Sequence, residues 1–150
     1  MNYIKEAENR LWYYRDLQKS IDEMTRQVAR LIAKTGPKEL KAIVMDQTGV
    51  RGGHHDDALN IIYEIQTLQE SMAKTREGFE EIESILREIS QDDGCEKYGQ
   101  VLRKWYIQRL SKEVIAEDFE CSVRTVYYLR DAAIRKFAVR IFGIEALKVI

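Results

Sequence analysis

Five basic side chains, Arg124, Arg130, Arg135, Lys136 and Arg140, fall within residues 122–143, opposed there by one carboxylate, Asp131. Cations at that density suit the anionic oxygens of a phosphate backbone, which Arg grips bidentately and Lys meets as a point charge. Interleaved with them are Ser122, Thr125, Tyr127 and Tyr128. Their hydroxyls can bond sugar, phosphate or base edge, and the Tyr128 ring can lie on a sugar or a thymine methyl. Elsewhere the chain offers little chemistry. His54 and His55 stand beside Asp56 and Asp57, but adjacent residues on a turn make a poor metal cage without further ligands nearby. Cys95 and Cys121 have neither the density of a disulfide framework nor metal-site spacing. The carboxylate pairs Glu80-Glu81 and Asp92-Asp93 fall on helix surfaces or ends, where solvated charge is the ordinary reading. No nucleophile stands beside a base and no Gly-rich phosphate loop occurs, so neither an enzymatic activity nor a cofactor or metal is expected.

The elements that must position the basic cluster can be read from the stretch Leu110–Phe137. Ser111 caps a short helix in which Val114, Ile115 and Phe119 are apolar and Ala116 is small enough for a second helix to cross closely. Glu120-Cys121 makes the turn, at a position where such motifs usually carry Gly. A left-handed backbone at a non-Gly residue costs on the order of 1 kcal/mol. Ser122 caps the next helix, whose inner face is Val123, Val126, Leu129, Ala133, Phe137 and Ile141. A preceding helix with Val101, Leu102, Trp105, Tyr106 and Leu110 completes a small core. This spacing is that of a helix-turn-helix. Removing the inner face leaves Arg124, Tyr128, Asp131 and Arg135 as an outward stripe, flanked by Thr125, Tyr127 and Arg130. Arg124 and Thr125 then occupy the first turn, which reaches base edges in the major groove, and Arg130, Arg135, Lys136 and Arg140 are placed for phosphates.

Upstream, the apolar positions Tyr14, Leu17, Ile21, Met24, Val28 and Leu31 alternate spacings of three and four, as do Ala58, Ile61, Ile65, Leu68, Met72, Thr75, Phe79, Ile82, Leu86 and Ile89. Both are heptad seams. The first predicts a helix from Tyr3 to Lys34, stopped at Thr35-Gly36-Pro37. The second predicts a helix capped by Asp56 or Asp57 and ending at Asp92-Asp93-Gly94. A loop at 36–56 joins them, with a short helix over Pro37–Met45 and an exposed tip in GVRGGHHDD. The expected fold is all-α: a long antiparallel, coiled-coil-like helical hairpin over 1–94, then a small helix-turn-helix domain over 95–150. A seam of this kind is buried by its own partner helix, by a second chain, or by both, so a homodimer through the hairpin is one outcome.

The 150 residues carry 24 basic and 25 acidic groups, a net charge of −1. Residues 1–94 hold 13 basic against 18 acidic and residues 95–150 hold 11 against 7, so a balance of −5 is followed by one of +4. An acidic first part joined to a basic last third suggests two modules with different partners. Gly (8) and Pro (1) are scarce, which disfavours β-sandwiches, barrels and Gly-rich nucleotide folds. Apolar runs are far too short for a membrane span, and MNYIKEAENRLWYY is not a secretory leader. A cytoplasmic protein without a membrane partner is the expectation.

The segment from Leu102 to Phe137 resembles region four of sigma-70-family factors, carried by Leu110-Ser111, Ile115-Ala116, Ser122 and Ala133-Ile134-Arg135-Lys136-Phe137. The helical first part, the Arg51-Gly52-Gly53 and Asp57 loop and this last third together resemble small sigma-like proteins of phages and prophages in Gram-positive bacteria, among them the ArpU/RinA-like late transcription regulators. The resemblance implies sequence-specific binding of double-stranded DNA, regulation of transcription and contact with RNA polymerase. Val123, Arg124 and Tyr128 depart from the base-reading pattern of ordinary sigma factors, so no consensus promoter element follows. Two other readings fit the same elements: a DNA-packaging adaptor of the small-terminase kind, and a polymerase-binding protein-interaction module without direct DNA readout.

Overall fold

The computed structural model describes residues 2–45 and 53–148, with the backbone alone over 36–45 and 53–56. Among these residues the fold is all-α, as expected. In chain order the helices are α1 (Tyr3–Trp12), α2 (Tyr14–Met45), α3 (Gly53–Ile89), α4 (Tyr98–Leu102), a π-helical turn (Arg103–Ile107), α5 (Lys112–Asp118), α6 (Val123–Phe142) and α7 (Ile144–Leu147).

The chain forms two compact units, one of Met1–Leu17 with Gly78–Ile150, the other of Gln18–Glu77. The first unit therefore draws on both sides of the boundary expected at 94–95. Its core explains why. Ala7 and Leu11 of α1 are fully buried and join Leu86 and Ile89 of α3, Val101 and Leu102 of α4, Ile115 of α5, and Val126 and Phe137 of α6 in one apolar cluster. α1 packs on α6 alongside α4 and α5, so without it α6 would expose part of its inner face.

The single helix expected from Tyr3 to Lys34 is interrupted at Tyr13, whose ψ of 6° leaves the helical range. The interruption has a partner. Arg109 donates to the Trp12 carbonyl at 2.9 Å and lays its guanidinium 4.1 Å from the Trp12 ring, satisfying a backbone group at the helix end. Below the break, Tyr14 packs on Phe79 at 4.6 Å and donates to Glu83, which Arg103 grips through two bonds of 3.0 and 2.9 Å. Burial and the neighbouring carboxylate push the Tyr14 phenol up to about 12, while the Arg103 hydrogen bonds hold the Glu83 carboxyl below its ordinary value. The expected third helix is also divided. α4 runs into the π-helical turn, and Gly99 permits α4 to lie against α3: its N–H donates to Ser90 Oγ at 2.9 Å, and a Cβ there would stand 2.4 Å from that oxygen.

In the second unit, burial follows the heptad. Ile21, Met24, Val28 and Leu31 on α2, and Ile61, Ile65, Leu68, Met72 and Thr75 on α3, are half-buried between mostly exposed neighbours, and Thr35 and Ala58 are buried. The stop expected at Gly36-Pro37 does not occur, because α2 continues to Met45 and absorbs the short helix expected over Pro37–Met45. Thr35 holds the preceding turn by donating to the Leu31 and Ile32 carbonyls at 3.1 and 3.0 Å. Lys38, Glu39, Leu40, Lys41 and Ala42 are strong helix formers that resume the ladder beyond the bond Pro37 cannot make. α3 likewise starts at Gly53, ahead of the expected caps Asp56 and Asp57. Residues 49–52 of the expected tip, and the side chains of His54 and His55, lie outside the described residues.

Candidate nucleic-acid interface

α5 and α6 meet through a tight turn built as the residue types require. Ser111 accepts from the Val114 N–H at 3.3 Å and Ser122 from the Thr125 N–H at 3.1 Å, so both caps hold. Between them the Cys121 N–H reaches the Ala116 carbonyl at 3.0 Å and the Glu120 N–H reaches that of Glu117 at 3.1 Å. This double bond is a Schellman stop, and it places Glu120 in the left-handed region at φ 54°. Ala116 is buried where the helices approach, as expected, whereas Val114 is 42% exposed and contributes no core. At about 100° per residue, 115 and 119 share one side of α5 and 114 stands well round from both.

α6 buries Val126, Ala133, Ile134, Phe137 and Ala138. On the opposite side Arg124, Tyr128, Asp131 and Arg135 are all exposed, with Thr125 beside them. The Arg124 guanidinium donates to the Tyr128 hydroxyl through Nε at 3.3 Å and through a terminal nitrogen at 3.1 Å. Ser122 and Thr125 share a hydroxyl bond of 3.0 Å, which adds to the cap. No carboxylate lies within salt-bridge distance of Arg124 or Arg135 among the described residues.

The remaining candidates are engaged elsewhere. Arg130 stacks over Trp105 and Tyr127, 4.5 and 5.2 Å from their ring centres, and pairs with Asp131 at 2.8 Å. Tyr127 packs edge-on against Trp105 at 5.7 Å, so its ring faces the body of the unit and not the stripe. Lys136 pairs with Asp92 and donates to Cys95 Sγ at 3.5 Å, and Arg140 pairs with Glu88. At about 100° per residue, positions 136 and 140 lie well round the helix from 124, 128 and 135. The structure thus brings Ser122, Arg124, Thr125, Tyr128 and Arg135 together, and places Tyr127, Arg130, Lys136 and Arg140 to the sides.

Two features escape a reading of the sequence. Lys112, the first residue of α5, sits 5.6 Å from the Tyr127 ring. An open cleft of about 450 Å³ lies between α1, with Ile4 and Glu8, and α6, with Asp131, Ile134 and Arg135. Tyr106 closes its floor and donates to Glu8 at 2.9 Å, and burial raises its phenol well above the ordinary value. The spacing of Tyr127 and Arg130 by three was the available signal for their stack; nothing in the sequence joins α1 to α6. Among the described residues no three His, Cys, Asp or Glu side chains gather as a metal site, and no helix is long and apolar enough to cross a membrane. Comparison with protein-family models, curated proteins and solved structures gave no match.

Proposed function

We propose that this chain is a sequence-specific DNA-binding regulator of transcription, of the phage and prophage type its last third resembles, acting in the cytoplasm without catalysis. α6 enters the major groove, Arg124, Thr125 and Tyr128 meet base edges, and Arg135 with Lys112 meets phosphates. The observation that carries this reading is the Ser122-capped α6, locked by a fully buried face and presenting Arg124, Thr125, Tyr128 and Arg135 on the other. The half-buried seams of α2 and α3 support a hairpin that self-associates or docks on RNA polymerase.

The two phosphate contacts, Arg135 and Lys112, give a log–log salt slope of roughly −2. Arg130, Lys136 and Arg140 would each leave an acidic partner before adding to it. Fluorescence anisotropy of the purified protein with a duplex from its own upstream region, against scrambled duplex and across salt, tests the reading. Binding should weaken steeply with salt and prefer the native duplex. Replacing Arg124 and Arg135 together by Ala should abolish specific binding and leave the helical circular dichroism intact; binding that survives shows that another face is used. The pairing of Lys136 with Asp92 and Arg140 with Glu88 favours, as a second reading, a polymerase-binding module that reads no DNA, which absence of salt-dependent binding would support. A ring of many subunits would instead point to a packaging adaptor.

A further inference from the structure

Asp131 is out of place on a face that approaches polyanionic DNA. It is the sole acid on the exposed stripe, between Tyr128 and Arg135, and its side chain is 54% exposed. A carboxylate there is repelled by every phosphate it nears. It becomes favourable only where the groove presents donors, and the exocyclic amino group of cytosine is the major-groove donor that Asp and Glu meet.

The geometry around Asp131 is that of an oriented group. Arg130 donates through both Nε and a terminal nitrogen, at 3.1 and 2.8 Å, to the same oxygen, Oδ1. Among the described residues no donor reaches Oδ2. Arg130 itself lies over both the Trp105 and Tyr127 rings, so the carboxylate is held from the side by a guanidinium that cannot swing away without losing two aromatic contacts. Restricting the rotamer before binding lowers the entropy lost on contact.

We infer that Asp131 is a specificity-determining residue whose Oδ2 accepts a hydrogen bond from the N4 amino group of cytosine, with Arg130 as its positioning residue. The inference rests on the reading of α6 as the DNA-reading helix. It assigns Arg130 a role other than phosphate contact: the charge serves the carboxylate, and the stack serves the charge.

Selection from a randomised duplex library, read by sequencing, tests it with the full chain and with Asp131→Asn, Asp131→Ala and Arg130→Ala. The wild-type profile should contain a cytosine position preferred by roughly 5- to 100-fold. Asp131→Ala should flatten that position alone. Asp131→Asn should move it toward adenine, whose N6 and N7 match an amide. Arg130→Ala should weaken the same position and leave the others sharp, which a general loss of structure would not do. Thermal melting of Asp131→Asn provides the folding control. A wild-type site that Asp131→Asn leaves unchanged, or weakens uniformly, overturns the role of Asp131 and leaves the DNA reading standing. A wild-type protein that enriches no duplex overturns the DNA reading and the role of Asp131 with it.

Discussion

Glu120 stands where the α5–α6 turn asks for a residue without a side chain, and replacing it by Gly should stabilise the protein. Its φ of 54° lies in the region that L-residues avoid, and the two bonds from Cys121 and Glu120 back into α5 fix it there. Holding a non-Gly residue in that conformation costs about 1–2 kcal/mol. Glycine removes that strain and forfeits about 0.5–1 kcal/mol through the greater freedom of its unfolded chain. The net gain for Glu120→Gly is therefore about 0–1.5 kcal/mol, which for a chain of this size raises Tm by up to roughly 6 °C. Reversible thermal melting followed by circular dichroism measures it, with Glu120→Ala as the control, since Ala keeps the strain and should melt close to wild type. A Glu120→Gly protein that melts no higher than Glu120→Ala would show that the turn relaxes elsewhere, and that the left-handed residue does not limit this connection. The side chain of Glu120 lies outside the stripe on α6, so binding should not change.

Leu11→Ala should cost about 2–5 kcal/mol in denaturant unfolding, because Leu11 is fully buried in the cluster that backs α6; a loss below about 1 kcal/mol would mean that α1 is not part of that core. The bonds to Glu83 make stability depend on acid. With its carboxyl held below the ordinary value, Glu83 contributes stability that is present above the ordinary Glu range and lost as pH falls toward the lowered value. Tyr14 acts in the opposite sense: raised from 10.0 to about 12, it contributes below the ordinary phenol value and loses that contribution as pH rises through the raised one. Melting curves across both limbs should show Tyr14→Phe flattening the alkaline decline; an unchanged alkaline limb would locate that decline in another group.

What the sequence makes legible is local. Ser111 and Ser122 are caps because a hydroxyl one residue ahead of an apolar period has few other uses, and both accept the expected N–H. The period of about 3.6 finds Val126, Ala133 and Phe137 on the inner face of α6, and alternating threes and fours find the seams of α2 and α3. The α6 period misses Ile134 and Ala138, buried where α1 also packs on α6, and overstates Val123, Leu129 and Ile141, which are only half-buried. Long-range pairing is less legible. Ala7 and Leu11 read as an unremarkable helical start, and only packing against α6 and the π-helical turn reveals why the chain bends at Tyr13. Gly36-Pro37 misleads for a different reason: a stop signal is statistical, and the helix formers after it set the local outcome. Among the site residues, Arg124, Thr125, Tyr128 and Arg135 needed only the helical period. Where Arg130, Lys136 and Arg140 point needed the positions of Trp105, Asp92 and Glu88, which no spacing supplies.

Those pairings change what the charge gradient means. A balance of −5 followed by +4 reads as two surfaces for two partners. Within the first compact unit, however, Glu83 bonds Arg103, Glu88 bonds Arg140 and Asp92 bonds Lys136, so acidic residues of the earlier segment lie against basic residues of the later one. Part of the gradient is thus complementarity within one fold. Partly exposed pairs of this kind contribute little stability each, but they remove cations from the free surface. On the proposed reading the electrostatics left for DNA concentrate at the start of α6, where Arg124 stands without a carboxylate within salt-bridge distance among the described residues. A helix charged along its whole length would bind any duplex through phosphates. One whose later cations are paired inward, and whose stripe carries a carboxylate, binds phosphate less strongly and depends more on the base edges it meets.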